Sequence, residues 1–275
     1  MSLLHVEQLT KKFGGLNAVE DLSFEIQPGV VYSIIGPNGA GKTTLLNLLT
    51  GVYRPSGGRI VFREHDLTGR APYEYACRGI ARTFQNLQIF FNMSALENVM
   101  VGRYLHERCG LVSALLRAPH LKRTEQMCRE EAADLMCYVG LQDYLSAAAD
   151  AMPYGALKRL EIARALATRP KLMLLDEPAA GLNPTEALEL DDLIGRLTGR
   201  GVTVVLVEHN MRLVMGVSDH ILVLDYGRKL AEGPAATVRN DPKVIEAYLG
   251  STVAHDGTFG NAIASAVAVA MEMHR

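Results

Sequence analysis

The chain has 275 residues, of which 48% are hydrophobic and 21% charged, a composition typical of a globular protein with one or two domains. Its formal net charge of −2 excludes the strongly basic surface of most nucleic-acid-binding proteins, so we expect no nucleic-acid partner. The four cysteines lack the C-x-x-C spacing of zinc and redox sites, and we expect them to be reduced thiols.

The N-terminal part of the chain contains short β-rich runs and lacks the long apolar core of a signal peptide. These runs are LLHVEQL, LSFEI, VVYSII and GRIVF. VVYSII carries apolar residues on both faces, as strands buried between helices do. The other runs alternate more and lie closer together, which predicts a small antiparallel sheet added to a buried one.

The segment after VVYSII has the spacing of a phosphate-binding loop. Gly36, Gly41, Lys42 and Thr43 fit G-x-x-x-x-G-K-[ST], and the helical run GKTTLLNLLTG follows. Glycines let backbone N–H groups turn towards phosphate oxygens, Lys42 supplies a cation, and the Thr43 hydroxyl is placed to hold Mg²⁺. The alternative is a glycine-rich turn without a ligand, which the full motif in this context disfavours. We predict that ATP binds at a loop of nine residues: Gly36, Pro37, Asn38, Gly39, Ala40, Gly41, Lys42, Thr43 and Thr44.

A helical insertion is predicted from about residue 92 to 153, because this region contains no convincing strand. SALENVMVGRYLHER begins with Ser94 and has Glu97 three residues later, the pattern of a capping box. HLKRTEQMCREEAADLMCYVGL has the pattern of a second amphipathic helix.

The stretch YGALKRLEIARAL, after Pro153, predicts a helix packed on more than one side. Leu157, Leu160 and Ala163 recur at three-residue steps, and further apolar residues form a second row. A helix that starts at Gly155 offers unpaired N–H groups and a partial positive charge, so its N-terminus can bind an anion. On this stretch alone, a core helix that happens to start at Gly155 is the simpler interpretation.

The next run, KLMLLDEP, predicts a buried strand that ends in two acidic residues. Asp176 lies at the carboxyl end of the strand, where α/β proteins bind ligands, and can hold Mg²⁺ through water. Glu177 can orient and deprotonate a water for in-line attack. The alternative is a capping or solvated acid pair without a catalytic role.

The later runs complete an α/β pattern with a mainly parallel sheet. VTVVLVEH and HILVLDYG read as strands, KLAEG as a short companion strand, and TEALELDDLIGRLTG and NMRLVMGVS as helices. After residue 250 the chain is rich in Ala, Ser and Gly. Its run AIASAVAVAM is about half the ~20 residues of a membrane helix. We predict a domain over residues 1–250 and a tail over 251–275, either a docking helix or a loose segment. We also expect a cytosolic protein that reaches a membrane only through a partner.

The phosphate loop, YGALKRLEIARAL and LMLLDEP, in this order and spacing, resemble the ATP-binding subunits of ABC transporters over residues 3–250. The resemblance implies an α/β fold with a P-loop ATPase core and a mainly parallel sheet, an N-terminal antiparallel β subdomain and a helical insertion. It implies that Phe13 stacks on adenine and that Gln85 senses Mg²⁺ and the attacking water. It also implies that His209 contacts the γ-phosphate. Each of these residues, taken alone, could be a structural residue.

The same resemblance implies that the stretch around Gly155 faces ATP held by a second ATPase subunit, with Tyr154 and Gly155 as the nucleotide contacts. The family sequence Leu-Ser-Gly-Gly-Gln is replaced by Met152, Pro153, Tyr154, Gly155 and Ala156. The loop that crosses to the other subunit is altered as well, with Ala180, Gly181 and Asn183 in place of Ser, Ala and Asp. These changes predict weaker contacts between subunits and leave the chain's own ATP site intact.

Longer segments, including TFQNLQIFFNMSALENVMVG and DEPAAGLNP, look like the ATPase subunit of branched-chain amino acid importers. That resemblance implies ATP hydrolysis with Mg²⁺, membrane permeases and a second ATPase subunit as partners, and an indirect link to a periplasmic binding protein. It implies a location at the inner face of the cell membrane. We predict that the permease docks near Gln85, because Phe90 and Phe91 are adjacent, so that at most one of them can be buried in the same direction and the other can form an exposed apolar patch. The alternative is that both phenylalanines pack inside the helical insertion. Importers of urea or amides, a lipopolysaccharide exporter and a soluble non-transport ATPase remain as alternatives.

Overall fold

The fold is built from two β-sheets and the helices that cover them, in a computed structural model that describes residues 2–106 and 119–252. The strands are β1 (Leu4–Phe13), β2 (Leu16–Ile26), β3 (Val31–Ile35), β4 (Gly57–Phe62), β5 (His65–Asp66), β6 (Ile80–Arg82), β7 (Leu172–Asp176), β8 (Thr203–Val207), β9 (His220–Asp225) and β10 (Arg228–Gly233). The helices are α1 (Lys42–Leu49), α2 (Pro72–Cys77), α3 (Ala95–Arg103), α4 (Pro119–Tyr138), α5 (Tyr154–Ala167), α6 (Pro184–Gly199), α7 (Met211–Val217), α8 (Ala235–Arg239) and α9 (Pro242–Thr252).

The central sheet has six strands in the order β10-β9-β3-β8-β7-β6, and β10 alone is antiparallel to its neighbour. Every residue of β3, β7 and β8 is buried, because both faces of the central sheet are covered by other elements. The second sheet is antiparallel, in the order β2-β1-β4-β5. The predicted fold class, a parallel ATPase core with an added N-terminal antiparallel sheet, is confirmed.

The register of the central strands brings the predicted functional segments to one edge of the sheet. Ile34 of β3 pairs with Val207 of β8, and Asp176 of β7 pairs with the same residue. The phosphate loop after β3, the acidic pair at the end of β7 and the residues after β8 therefore start side by side. This edge is the carboxyl end of the parallel strands, where open α/β sheets bind their ligands.

The two largest of three apolar clusters cover the two faces of the central sheet. One contains buried residues of the antiparallel sheet and α1. The other contains α3, α4, α5 and α6, with Leu160 and Ala163 of α5 fully buried. The expectation that α5 packs on more than one side is confirmed by its burial pattern, in which eleven of fourteen residues are buried.

The described part of the predicted helical insertion contains α3 and α4, joined to α5 by short 3₁₀ turns. Ser94 caps α3 as expected, because its hydroxyl accepts from the Glu97 N–H at 3.2 Å and its own N–H donates to the Glu97 carboxylate. The boundaries 92 and 153 stay a prediction. The tail lies outside the described residues beyond residue 252. In the described ranges, every helix is too short or too polar to cross a bilayer.

Candidate functional site

The phosphate loop encloses the side chain of Lys42. Gly41 has a left-handed backbone (φ 98°), and a Cβ there would collide with the Ala18 carbonyl oxygen, so only glycine fits at the start of α1. Lys42 is 7% exposed, and its Nζ donates to the carbonyl oxygens of Gly36 at 2.6 Å and Pro37 at 3.0 Å. Burial lowers the pKa of Lys42, and the charges of Glu177 and Asp176 counteract this shift. The cation is therefore held at the centre of the loop.

The rest of the predicted loop is arranged around this cation. Asn38, Gly39 and Thr43 are exposed, so the Thr43 hydroxyl can be reached from solvent, whereas Ala40 is buried. The Ala40 carbonyl accepts from the Gly227 N–H at 3.0 Å, which ties the loop to the turn between β9 and β10. The loop is thus anchored on one side and open on the other.

Asp176 is buried at the end of β7 and forms an ion pair with Arg82. Nη2 of Arg82 lies 2.8 Å from Oδ2 of Asp176, and both side chains are almost fully buried. Nη1 of Arg82 donates to Oδ1 of Asn47 at 2.6 Å, which connects the pair to α1. Sequence reasoning missed Arg82, since β6 has three residues and carries no recognisable pattern.

The carboxylate of Glu177 is held by Gln85 and His209, the two residues to which the family resemblance assigns roles in ATP hydrolysis. Nε2 of Gln85 donates to Oε2 of Glu177 at 2.9 Å. Nε2 of His209 lies 2.8 Å from Oε1 and donates there in the tautomer protonated at Nε2. Glu177 has a left-handed backbone (φ 48°), an uncommon and strained conformation for this residue type. Three residues from distant parts of the chain meet at one carboxylate.

Two buried charged residues of α5 hold the segment that contains Gln85. Nζ of Lys158 donates to the carbonyl oxygen of Gln85 at 3.1 Å. The Glu161 carboxylate accepts weakly from the N–H groups of Phe84 at 3.5 Å and Gln88 at 3.4 Å. Burial raises the pKa of Glu161. Sequence reasoning missed both residues, although charged side chains on a helix that packs on several sides are the signal that could have found them.

Phe13 lies at the end of β1 and is 43% exposed, so it is not a plain core residue. Its ring makes an edge contact with Tyr53, with centroids 5.3 Å apart, and Nζ of Lys11 lies 4.9 Å from its centroid. The exposed ring is available for stacking.

The start of α5 differs in one respect from the sequence reading. The helix begins at Tyr154, with Pro153 as an N-cap that offers no side-chain hydrogen bond. The Glu186 carboxylate of the same chain lies where a Cβ on Gly155 would be placed. The first backbone N–H groups of α5 therefore have an acidic neighbour.

The crossing loop packs directly on this helix start. A Cβ on Gly181 would lie 2.9 Å from the Tyr154 ring. Asn183 caps α6, because its Oδ1 accepts from the Glu186 N–H at 2.9 Å and its own N–H donates to the Glu186 carboxylate at 2.9 Å. Asn183 has a structural role in this chain, and the segments around residues 154 and 183 form one packed unit.

Two known protein families match parts of this chain. The family described as ABC transporter matches residues 19–180, and the family described as branched-chain amino acid ATP-binding cassette transporter matches residues 228–254. The chain is 45% identical to the high-affinity branched-chain amino acid transport ATP-binding protein LivG of Escherichia coli K12, over 90% of this chain and 98% of LivG. It is 44% identical, with the same coverage, to the corresponding protein BraF of Pseudomonas aeruginosa.

Solved structures give the same result. A nucleotide-free ATP-binding cassette from an ABC transporter superposes with a TM-score of 0.79 at 34% identity, covering 90% of this chain and 99% of that one. A cassette in its ADP conformation superposes equally well, with 91% and 99% covered.

Proposed function

This chain belongs to the ABC transporter ATP-binding family and is an ATPase of that class, and we propose that it powers the import of branched-chain amino acids. The observation that carries the catalytic part is the Glu177 carboxylate, bracketed by Gln85 and His209 beside the phosphate loop. The substrate assignment is supported by the family match at residues 228–254 and by the names of LivG and BraF.

ATP would bind at the carboxyl edge of the central sheet. We propose that Lys42 exchanges its two carbonyl partners for oxygens of the β- and γ-phosphates, which accept charge-assisted hydrogen bonds. The backbone N–H groups of residues 38–43 would surround the same phosphates. The exposed ring of Phe13 would stack on adenine, with Tyr53 fixing its orientation.

The residues at this edge fit Mg²⁺. Asp176, Thr43 and Gln85 offer oxygen atoms, and Asp176 is the one carboxylate among them. In the described ranges no three His, Cys, Asp or Glu side chains form a metal cluster. One or two protein oxygens supplemented by water and phosphate are typical of Mg²⁺ bound together with a nucleotide. When bound, the ion would neutralise phosphate charge and polarise the γ-phosphate.

The chemical step requires a group that takes the proton of the attacking water. We propose Glu177 for this role, since its carboxylate lies beside the loop and both of its oxygens are oriented by neighbours. His209 would hold Oε1 and contact the γ-phosphate as the water attacks. Gln85 would release Oε2, so that its amide group could donate to the water or its amide oxygen could bind the ion.

A second ATPase subunit would complete each site. We propose that Tyr154 and Gly155, at the start of α5, face a nucleotide bound by that partner. The Glu186 carboxylate beside Gly155 and the absent serine hydroxyl make this contact weaker than in the usual family sequence. The pair of ATPases would act beneath membrane permeases at the inner face of the membrane.

We expect the purified chain alone to hydrolyse ATP slowly and its ATPase activity to be stimulated by its partners.

The substrate assignment is tested by reconstitution with the permeases and binding protein encoded by neighbouring genes, followed by uptake of radiolabelled leucine and, in parallel, urea. ATP-dependent leucine uptake supports the proposal. Uptake of urea alone, or neighbouring genes for lipopolysaccharide export, would contradict the proposed substrate and leave the ATPase assignment intact.

The permease would dock at a groove next to Gln85. The groove has a volume of about 530 Å³ and is lined by Phe84, Leu87, Phe90 and Arg164, among others. Phe90 is 46% exposed, and the Arg164 guanidinium lies 5.5 Å from its centroid. Exposed apolar side chains of this size are typical of partner sites. We propose that a cytoplasmic segment of the permease fills the groove, because Lys158 and Glu161 connect the same segment to α5.

Phe90→Ser should therefore abolish binding of the permease, while the chain stays folded and still binds ATP. Phe91→Ser is the matched control, since Phe91 is 50% exposed but does not line the groove. Co-purification with tagged permeases, thermal melting and fluorescent-nucleotide titration measure the three properties. Normal co-purification of Phe90→Ser, or equal loss in both variants, would show that the docking site lies elsewhere.

A further inference from the structure

The carboxylate of Glu208, for which the sequence suggested no role, joins two loops at the catalytic edge. Glu208 directly follows β8 and is 5% exposed. Its Oε1 accepts a hydrogen bond at 2.7 Å from the N–H of Ala179, which lies in the loop after β7. Its Oε2 accepts from the His209 N–H at 3.0 Å and, more weakly, from the Asn210 N–H at 3.4 Å. One side chain thus fixes the backbone on both sides of the site.

The hydrogen bond from Ala179 restrains the backbone next to Glu177, which has an unfavourable conformation. Glu177, two positions before Ala179, has a strained left-handed backbone, and its own N–H donates to the Val207 carbonyl at 2.8 Å. A strained residue of this kind is unfavourable and persists only where its surroundings hold it. The next residue in the chain, Pro178, has no N–H with which to contribute. The first available backbone donor after Glu177 is therefore the one that Glu208 binds.

A buried carboxylate is unfavourable unless hydrogen bonds compensate for lost hydration. Burial raises the pKa of Glu208, while its backbone donors act in the opposite direction and the charge of Glu177 adds to the increase. An apolar residue at the end of β8 would avoid this cost if Glu208 only filled space. The geometry instead indicates that the carboxylate is retained for the two loops that it joins.

We propose that Glu208 is a positioning residue for ATP hydrolysis, which holds Glu177 and His209 in register through the backbone N–H groups of Ala179 and His209. This inference rests on the proposed roles of Glu177 and His209. Glu208 is not expected to touch ATP, since its oxygens are occupied by backbone donors. Its loss should displace the catalytic carboxylate without removing any contact to the nucleotide.

The test is a double-mutant cycle in the assembled transporter. Glu208→Ala should lower kcat by about 10–100-fold, the effect of a small misplacement of reacting groups, with KM for ATP changed by less than about threefold. In a Glu177→Gln background the same change should alter the residual turnover by less than about twofold, because residues that act as a unit are not additive. Glu208→Gln keeps one acceptor oxygen, so its kcat should fall less than that of Glu208→Ala.

The matched control is Glu232→Ala. Glu232 also accepts hydrogen bonds, from Tyr32 at 2.8 Å and Lys229 at 2.7 Å, but it lies on β10 near the amino end of the parallel strands. It should lower the melting temperature without lowering kcat. If Glu208→Ala does not fold, the cycle is run with Glu208→Gln, for which we expect about a fivefold loss.

Unchanged kcat in a folded Glu208 variant, or equal losses with and without Glu177, would overturn the inference. If instead Glu177→Gln hydrolyses ATP at the normal rate, the proposed role of Glu177 fails, and that outcome is read independently of the Glu208 variants.

Discussion

Replacing Glu177 with Gln should reduce ATP turnover by about 10²–10⁴-fold, the usual contribution of a general base, while ATP still binds. The amide cannot take a proton from water, but it has nearly the same shape as the carboxylate. Gln85 and His209 each contact one carboxylate oxygen of Glu177, and an amide of the same shape can occupy this position. We therefore expect the change to affect proton transfer more than structure. Turnover by the assembled transporter and affinity for a fluorescent nucleotide measure the two properties separately.

Glu125→Gln is a suitable control for this experiment, because Glu125 is exposed on α4 and carries the same functional group. It should leave both turnover and affinity unchanged. Normal turnover in the Glu177→Gln transporter would remove Glu177 from the role of general base.

Lys42→Ala should weaken ATP binding by about 10–100-fold or more, the loss expected for two or more charge-assisted hydrogen bonds. The ammonium group is nearly buried within the loop, and its partners there are carbonyl oxygens rather than acids. Without it, the phosphates would meet those carbonyl oxygens, and only the backbone N–H groups and the proposed Mg²⁺ would balance the phosphate charge.

Titration with a fluorescent nucleotide tests this expectation, with thermal melting to confirm that the variant is folded. Lys171→Ala removes an exposed lysine just before β7 and serves as the control. Unchanged affinity in a folded Lys42→Ala protein would contradict the assignment of the phosphate loop.

The sequence was sufficient to predict the parts of the site that depend on local pattern. Gly41 and Lys42 occupy a motif whose spacing predicts the geometry of the backbone, and Asp176 ends a strand whose other residues are all apolar. Gln85 and His209 have no local pattern, and they were found through resemblance. The structure brings both to the Glu177 carboxylate, although 92 and 32 positions separate them from it along the chain.

Other parts of the site could not be predicted, because they depend on contacts between distant segments. Arg82 belongs to a strand too short to have a period, and Asp176, its partner, lies 94 positions away. From the sequence, Lys158 and Glu161 cannot be distinguished from residues on an exposed polar face of a helix. The structure shows that the loop containing Gln85 packs against them. In each case the partner of a buried charge is set by tertiary packing, which composition and periodicity do not encode.

The contact between the start of α5 and the crossing loop limits how this ATPase can be recombined with its relatives. The Tyr154 ring rests against Gly181, and the Glu186 carboxylate occupies the space beside Gly155. Consider a chimera that takes residues 180–186 from another cassette. Any side chain at position 181 would collide with the Tyr154 ring, unless Tyr154 were exchanged too. Tyr154 and the segment 180–186 therefore have to be exchanged together in such a chimera.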